Sequence, residues 1–301
     1  MEKDALTGRA KRGVKGIVAR LMRPALAGVN RRLDTIDSHL GLVERNAKKY
    51  REELQYWRWF IKKGGCEKQH GEPFEQVFAR WQRHRLLHLA AWMGVATDES
   101  EGAIDQWCAE RSVVEIGAGP YPAVAAAKRG WKRCVAVDPL ARGYVEEGLL
   151  PRACDGVVYI EAPGENIPLA TEFADLVIIE NCLDHVSDPG EVVAEIRRLL
   201  KPGGLMWLFV DLSNHSDEMH PHAMNEEKVR GLLSGFEVVR DEVAPLKAHP
   251  QAYAGYRALY RKPAPTAAAP PETRTRLGPR VQIMTRATQN GAAAAVQKSV
   301  T

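Results

Sequence analysis

Apolar positions change their period several times along the chain, and each change marks a different kind of element. Leu33, Ile36, Leu40, Val43, Ala47, Tyr50, Leu54, Trp57 and Ile61 recur at alternating steps of three and four, separated by polar residues such as Arg45, Lys48, Lys49, Arg51, Glu52 and Glu53. This heptad seam predicts a coiled-coil helix over 33–62; the competing arrangement is a long helix lying on its own domain. Phe74, Val77, Phe78, Trp81, Leu89 and Trp92 predict further amphipathic helix within a helical cap at 63–108. From 109 the pattern turns to short apolar runs, with strands expected at 112–116, 133–138, 156–160, 175–180, 205–210, 235–240 and 255–261. Helical patterns fall between them, notably at Pro189–Leu200 and Asn225–Leu233. Such alternation predicts an α/β domain over 109–262 whose mostly parallel sheet is covered on both faces. The remainder, 263–301, is rich in alanine, proline and threonine without a period, and reads as a disordered tail.

Composition adds limits. A chain of 301 residues with 45% hydrophobic content has enough apolar material for one large domain plus extensions, and a net charge of +4 gives no reason to expect a nucleic-acid partner. The charge is unevenly placed, however. Lys3, Arg9, Lys11, Arg12, Lys15, Arg20, Arg23, Arg31 and Arg32 face only Glu2 and Asp4, and Val14, Ile17, Val18, Leu21, Met22 and Leu26 lie among them at helical spacing. Residues 1–32 therefore read as a basic amphipathic segment, suited to peripheral contact with an anionic membrane or to a solvated end, with Pro24 bending any helix. Cys66, Cys108, Cys134, Cys154 and Cys182 are scattered, odd in number and without a Cys-x-x-Cys pair. Reduced thiols in a cytoplasmic protein are expected, and neither a membrane span nor a secretory segment is visible.

Candidate chemistry concentrates where the first predicted strand ends. Val113-Val114-Glu115-Ile116-Gly117-Ala118-Gly119-Pro120 reads as a buried strand running into a glycine turn, and Asp138 closes a second strand in Val135-Ala136-Val137-Asp138-Pro139. The layout suits a nucleoside, with Asp138 placed for ribose hydroxyls. A dinucleotide fingerprint needs a third glycine where Pro122 stands, and no phosphate-loop lysine follows. Glu115 beside the turn would repel a pyrophosphate and attract an ammonium or a sulfonium.

Together with Glu165-Asn166-Ile167-Pro168-Leu169, Phe173-Ala174-Asp175-Leu176-Val177-Ile178-Ile179, Asn181-Cys182-Leu183-Asp184-His185-Val186-Ser187-Asp188-Pro189 and Leu199-Leu200-Lys201-Pro202-Gly203-Gly204, these residues resemble the class I S-adenosylmethionine-dependent methyltransferases over about 110–262. Tyr121 departs from that family's first motif, replacing its last glycine. The resemblance implies a Rossmann-like sheet of seven strands with the last antiparallel, and S-adenosyl-L-methionine as cofactor with S-adenosyl-L-homocysteine as product. It further implies Glu115, Gly117, Ala118 and Gly119 at the amino acid moiety, Asp138 and Pro139 at the ribose, Gly164 and Glu165 near the adenine in place of an aspartate at Pro163, and Asn181 lining the donor pocket.

Methyl transfer to a hydroxyl also needs a base. His185, next to Asp184, is one candidate, and His220 and His222 in His220-Pro221-His222-Ala223-Met224-Asn225 are the others, with Asn225 as a helix cap. Asp211, His215 and Asp217 lie nearby, yet no firm ligand spacing is present and a role without metal is expected. The resemblance extends to enzymes of surface-glycan synthesis, so a saccharide hydroxyl is the expected acceptor; a quinone or other lipid-like small molecule, or a non-catalytic scaffold, are the alternatives. A homo-oligomer assembled through 33–61 is expected from the seam.

Overall fold

A computed structural model describes residues 47–62, 74–95, 102–127, 130–151, 154, 156–245, 250–264 and 283–284. The predicted basic segment, the first four seam residues (Leu33, Ile36, Leu40 and Val43) and most of the tail lie outside these residues. The chain divides into two compact units, Met1–Glu52 and Glu53–Thr301. In the first, residues 47–52 are helical.

The second unit opens with helix α1 (53–62), α2 (Phe74–Trp92) and α3 (Ala103–Ala109). An alternation follows: β1 (Ser112–Ile116), a 3-10 turn (Ala123–Ala126), β2 (Arg133–Val137), α4 (Ala141–Glu146), β3 (Val158–Ile160), β4 (Ala174–Glu180), α5 (Pro189–Leu199), β5 (Leu200–Leu212), α6 (Glu226–Leu232), β6 (Glu237–Ala244) and β7 (Ala254–Arg261). The sheet order is β3-β2-β1-β4-β5-β7-β6, and β7 runs antiparallel to both of its neighbours. This is the Rossmann-like methyltransferase sheet expected from the sequence. One addition is Ile283–Met284, β8, which pairs antiparallel with β3 inside the stretch read as tail.

Each element follows from its residues. Ser-Val-Val-Glu-Ile of β1 is buried throughout, as a central strand covered on both faces must be. The α5 helix starts where Asp188 accepts from the amides of Gly190 and Glu191 at 2.8 and 3.3 Å and Pro189 presets the first turn. Asn225 caps α6 by accepting from Lys228 N at 2.9 Å, as its position predicted. Val114, Ile116, Val177, Ile179, Val192, Ile196 and Leu208 fill the core.

The chain departs from the predicted helix after the glycine turn. Among the described residues there, the helical element is the four-residue 3-10 turn, entered through Pro122. Strand order reverses between β1 and β4, and in open α/β sheets that switch point opens a ligand crevice at the carboxyl ends of the strands.

Candidate active site

Four strand ends meet at this crevice: Gly117 after β1, Asp138 after β2, Asn181 after β4 and Ser213 after β5. Gly117 and Gly119 have φ of 65° and 59°, a region that disfavours side chains. A Cβ on Gly117 would also stand 2.5 Å from Cys182 Cβ, so only glycine lets the turn pass the β4 end.

The turn's amides face inward. Gly117 N and Ala118 N donate to Val137 O at 2.9 and 3.3 Å, and Gly119 N donates to Asp138 Oδ2 at 2.9 Å. With all three committed, the turn is no anion cradle, which agrees with the exclusion of a dinucleotide pyrophosphate. Asp138 takes a second amide, Leu140 N at 2.8 Å on Oδ1, and burial pushes its carboxyl up to about 6. Each oxygen keeps acceptor capacity for a ribose hydroxyl, with Pro139 following it.

Glu115 is more occupied than its sequence position suggests. Its oxygens accept from Ala123 N and Val124 N, both at 3.1 Å, and Arg85 Nη2 lies 3.4 Å away. Burial pushes this carboxyl up to about 7, with Arg85 opposing the rise. Arg85 also donates through Nε to Glu180 Oε2 at 2.8 Å and through Nη1 to Tyr121 O at 3.1 Å, while Glu180 Oε1 accepts from Trp207 Nε1 at 2.6 Å. One guanidinium thus ties α2 to the ends of β1 and β4. Sequence reasoning missed it, although a readable signal was present: Arg85 sits midway between the buried Phe78 and Trp92, seven residues from each, on the apolar stripe of α2.

The non-glycine Tyr121 has a use of its own. It is buried, with its ring 4.1 Å from Phe78 and 5.8 Å from Trp57, and so anchors α1 and α2 over the turn. Trp57 meets Gly119, where an added Cβ would lie 3.1 Å from its ring, and Leu54 lies against Gly143. Of the aromatic run 56–60, Trp57 and Phe60 turn inward, whereas Tyr56 and Trp59 are about half exposed.

Gly164 is held between Ile116 and Val192, and Glu165 Oε1 accepts from Ser187 N and Asp188 N at 2.7 and 3.1 Å. Glu165 therefore organises the approach to α5. Asn181 adopts φ of 50°, donates N–H to Phe209 O at 2.7 Å, and keeps a buried Oδ1 without a partner. An orphaned acceptor at the end of β4 is the kind of group a cationic cofactor end satisfies.

Past the end of β5 lies a small polar pocket whose lining includes Asp184, Asp211, Ser213, Asp217, His220 and Gln251. The ring of His220, which lines this pocket, meets that of His185 with centroids 4.4 Å apart. Asp217 Oδ1 faces His220 Nδ1 at 2.9 Å, and His185 Nε2 lies 3.9 Å from Asp184 Oδ1. His222 is placed otherwise: its Nε2 lies 2.9 Å from Val186 O and 3.2 Å from Ser187 O, so it donates to backbone carbonyls and pins the loop after β5 to the segment after β4. Two of the three candidate histidines are thus brought together, and the third holds them there.

The fold and the crevice define a Rossmann-like nucleoside-cofactor domain with a separate polar cleft beside the cofactor turn. Residues 114–208 match the model of the methyltransferase domain. The chain is similar to uncharacterized methyltransferases of Mycobacterium sp. (strain JLS), 33% identical over 125 residues covering 38% of this chain and 48% of the relative, and of Mycobacterium leprae (strain TN), 33% identical over 139 residues covering 45% and 49%. It spans about half the length of the curated relatives it matches. Among solved structures it is similar to the N-methyltransferase NodS from Bradyrhizobium japonicum WM9 in complex with S-adenosyl-L-homocysteine, at 16% identity and a TM-score of 0.42, covering 55% of this chain and 87% of that one. YcgJ from Bacillus subtilis aligns at 15% identity and a TM-score of 0.44, covering 60% and 100%. Among the described residues, no helix is long and apolar enough to cross a membrane.

Proposed function

We propose that this chain is a class I methyltransferase that carries the methyl group of S-adenosylmethionine to a saccharide hydroxyl. The observation that carries the reading is the two-part crevice: a glycine turn with Asp138 and Asn181 on one side, and the His185–His220 cleft on the other. S-adenosylmethionine supplies an activated methyl on a sulfonium. Asp138 would hold its ribose and Asn181 Oδ1 would accept from its ammonium, with the Gly117–Gly119 turn setting the space between them. Glu115 holds the turn in shape through the amides of Ala123 and Val124.

The polar lining favours a hydroxyl-rich acceptor over the quinone alternative, which needs an apolar wall. The imidazole pair His185–His220 activates the hydroxyl, in the simplest form as general base with Asp217 setting the tautomer of His220. His222 is a positioning residue.

Calorimetric titration with S-adenosylmethionine and S-adenosylhomocysteine tests the donor half. Absence of binding would leave a non-catalytic scaffold as the better reading. Mass spectrometry after incubation with a panel of glycans and quinones tests the acceptor half, the expected product being a glycan gaining one methyl. Single alanine variants of His185 and His220 should lose turnover while keeping cofactor affinity; full turnover in both would remove the imidazoles from the mechanism.

A further inference from the structure

Spacing along the sequence shows no metal motif, but folding brings ligand-type groups together that are 35 residues apart in the chain. Asp184 and His185 come from the segment after β4, where His185 N donates to Cys182 O at 3.0 Å. His220 comes from the loop after β5, whose base is closed by Ser213 N donating to Met224 O at 2.8 Å and whose tip is folded by Asp217 Oδ1 accepting from Met219 N and His220 N at 2.9 and 2.7 Å. His222 joins the two segments through the carbonyl contacts described above and a 3.4 Å bond from its amide to Asp184 O. One ligand atom each from Asp184, His185 and His220 then lies within 4.8 Å of the other two.

We propose that this trio binds a divalent transition-metal ion, Zn²⁺ fitting its chemistry best, and that the ion presents an open coordination position to the acceptor. Two imidazoles and one carboxylate form the donor set of catalytic zinc sites, with ligand bonds of about 2.0–2.2 Å and a further position for water or substrate. Ligands around such an ion stand at most about 4 Å apart, so the trio closes by small side-chain rotations. Asp217 supplies the outer contact such sites use: by taking the Nδ1 proton of His220 it leaves Nε2 as the ligand atom. Asp211 and Ser213 line the cleft that the open position faces.

The consequence for catalysis rests on the methyltransferase reading, whereas ion binding does not. An acceptor hydroxyl on the ion releases its proton to water more readily, and its oxygen then forms the new C–O bond as the C–S bond breaks. The electron pair of that bond stays on sulfur, which leaves as the neutral thioether. In this form the two imidazoles act through the ion rather than by taking the proton themselves.

The test is titration of the full, tag-free chain with Co²⁺, followed by its visible absorption, and then displacement with Zn²⁺, alongside calorimetry with S-adenosylhomocysteine. One equivalent of Co²⁺ should bind and be displaced by Zn²⁺. His220→Ala should abolish the spectrum, and Asp217→Asn should weaken binding about 10- to 100-fold, both variants retaining their far-UV circular dichroism and their affinity for S-adenosylhomocysteine. No saturable Co²⁺ spectrum, or one that survives His220→Ala, overturns the site. If wild type binds Co²⁺ as expected but not S-adenosylhomocysteine, the ion site stands and the methyltransferase reading fails; cofactor binding without Co²⁺ binding gives the reverse.

Discussion

Replacing Arg85 by methionine tests how α2 governs the cofactor turn. Methionine keeps most of the aliphatic length but removes the cation that lies 3.4 Å from Glu115 and 2.8 Å from Glu180. Glu115 is buried, with 2% of its surface exposed, and Glu180 has 19% of its side chain exposed. Breaking a buried ion pair from one side costs about 3–5 kcal/mol, because the partner charge stays behind. Water reaching Arg85 and Glu180 places this case at about 3 kcal/mol. Glu180→Gln removes one of the stranded charges while leaving an oxygen for the Trp207 indole. The double variant should therefore recover about 1 kcal/mol or more relative to the sum of the singles, a coupling of the size seen for groups in one network. Urea unfolding of the ligand-free protein reads the stability, and calorimetry with S-adenosylhomocysteine reads the turn, whose affinity should fall about tenfold, or 1.4 kcal/mol. An Arg85→Met variant within 0.5 kcal/mol of wild type and unchanged in cofactor affinity would refute the reasoning.

Three further outcomes follow from the same site. Gly117→Ala combines a left-handed residue with a Cβ 2.5 Å from Cys182 Cβ, and should cost about 3 kcal/mol in urea unfolding and abolish cofactor binding. Glu115 rises from an ordinary 4.5 to about 7 on folding, so the folded state holds the proton that the unfolded state has lost. This stability is present in full below pH 4.5 and disappears as the pH climbs through 7, by about 3 kcal/mol at most; the urea midpoint of the ligand-free protein should fall over that window and fall less in Glu115→Gln. Asn225→Ala removes the α6 cap and should cost about 1 kcal/mol, read by thermal unfolding, without changing affinity for S-adenosylhomocysteine.

The arrangement of the first strand, its glycine turn and Asp138 was legible because it is local. Glu115, Gly117, Gly119 and Asp138 lie on two adjacent strands and the turn between them, and the strand's apolar run announces its burial. The caps Asp188 and Asn225 were legible or locally determined for the same reason, since a cap bonds amides only two or three residues ahead. What escaped was long-range. Arg85 meets Glu180 across 95 residues of sequence, and no periodicity carries that pairing. His222 looked equivalent to His220 along the chain, yet its ring is turned to the carbonyls of Val186 and Ser187, a choice made by how the loop folds back. The 3-10 turn in place of a helix after Gly119 follows from Pro122 and from the two amides, of Ala123 and Val124, that Glu115 draws inward.

The heptad seam illustrates a competition that pattern alone does not decide. An apolar stripe reports that a face is buried, not against what. In the second unit the seam residue Leu54 is set against Gly143, and Trp57 and Ile61 pack with Phe60, Phe78 and Tyr121. Those positions are filled from within the chain, in the manner of a helix lying on its own domain. The lack of a side chain on Gly119 leaves the indole of Trp57 room to approach, and the bulk of Tyr121, where the family's motif has glycine, gives that indole a partner. Tyr121 and the aromatic helix therefore explain each other: the ring at this position of the turn anchors the indole. Any association through the seam then has to draw on its positions before 53, since burial of Trp57 against Tyr121 and of Leu54 against Gly143 would have to be undone to offer them to a second chain.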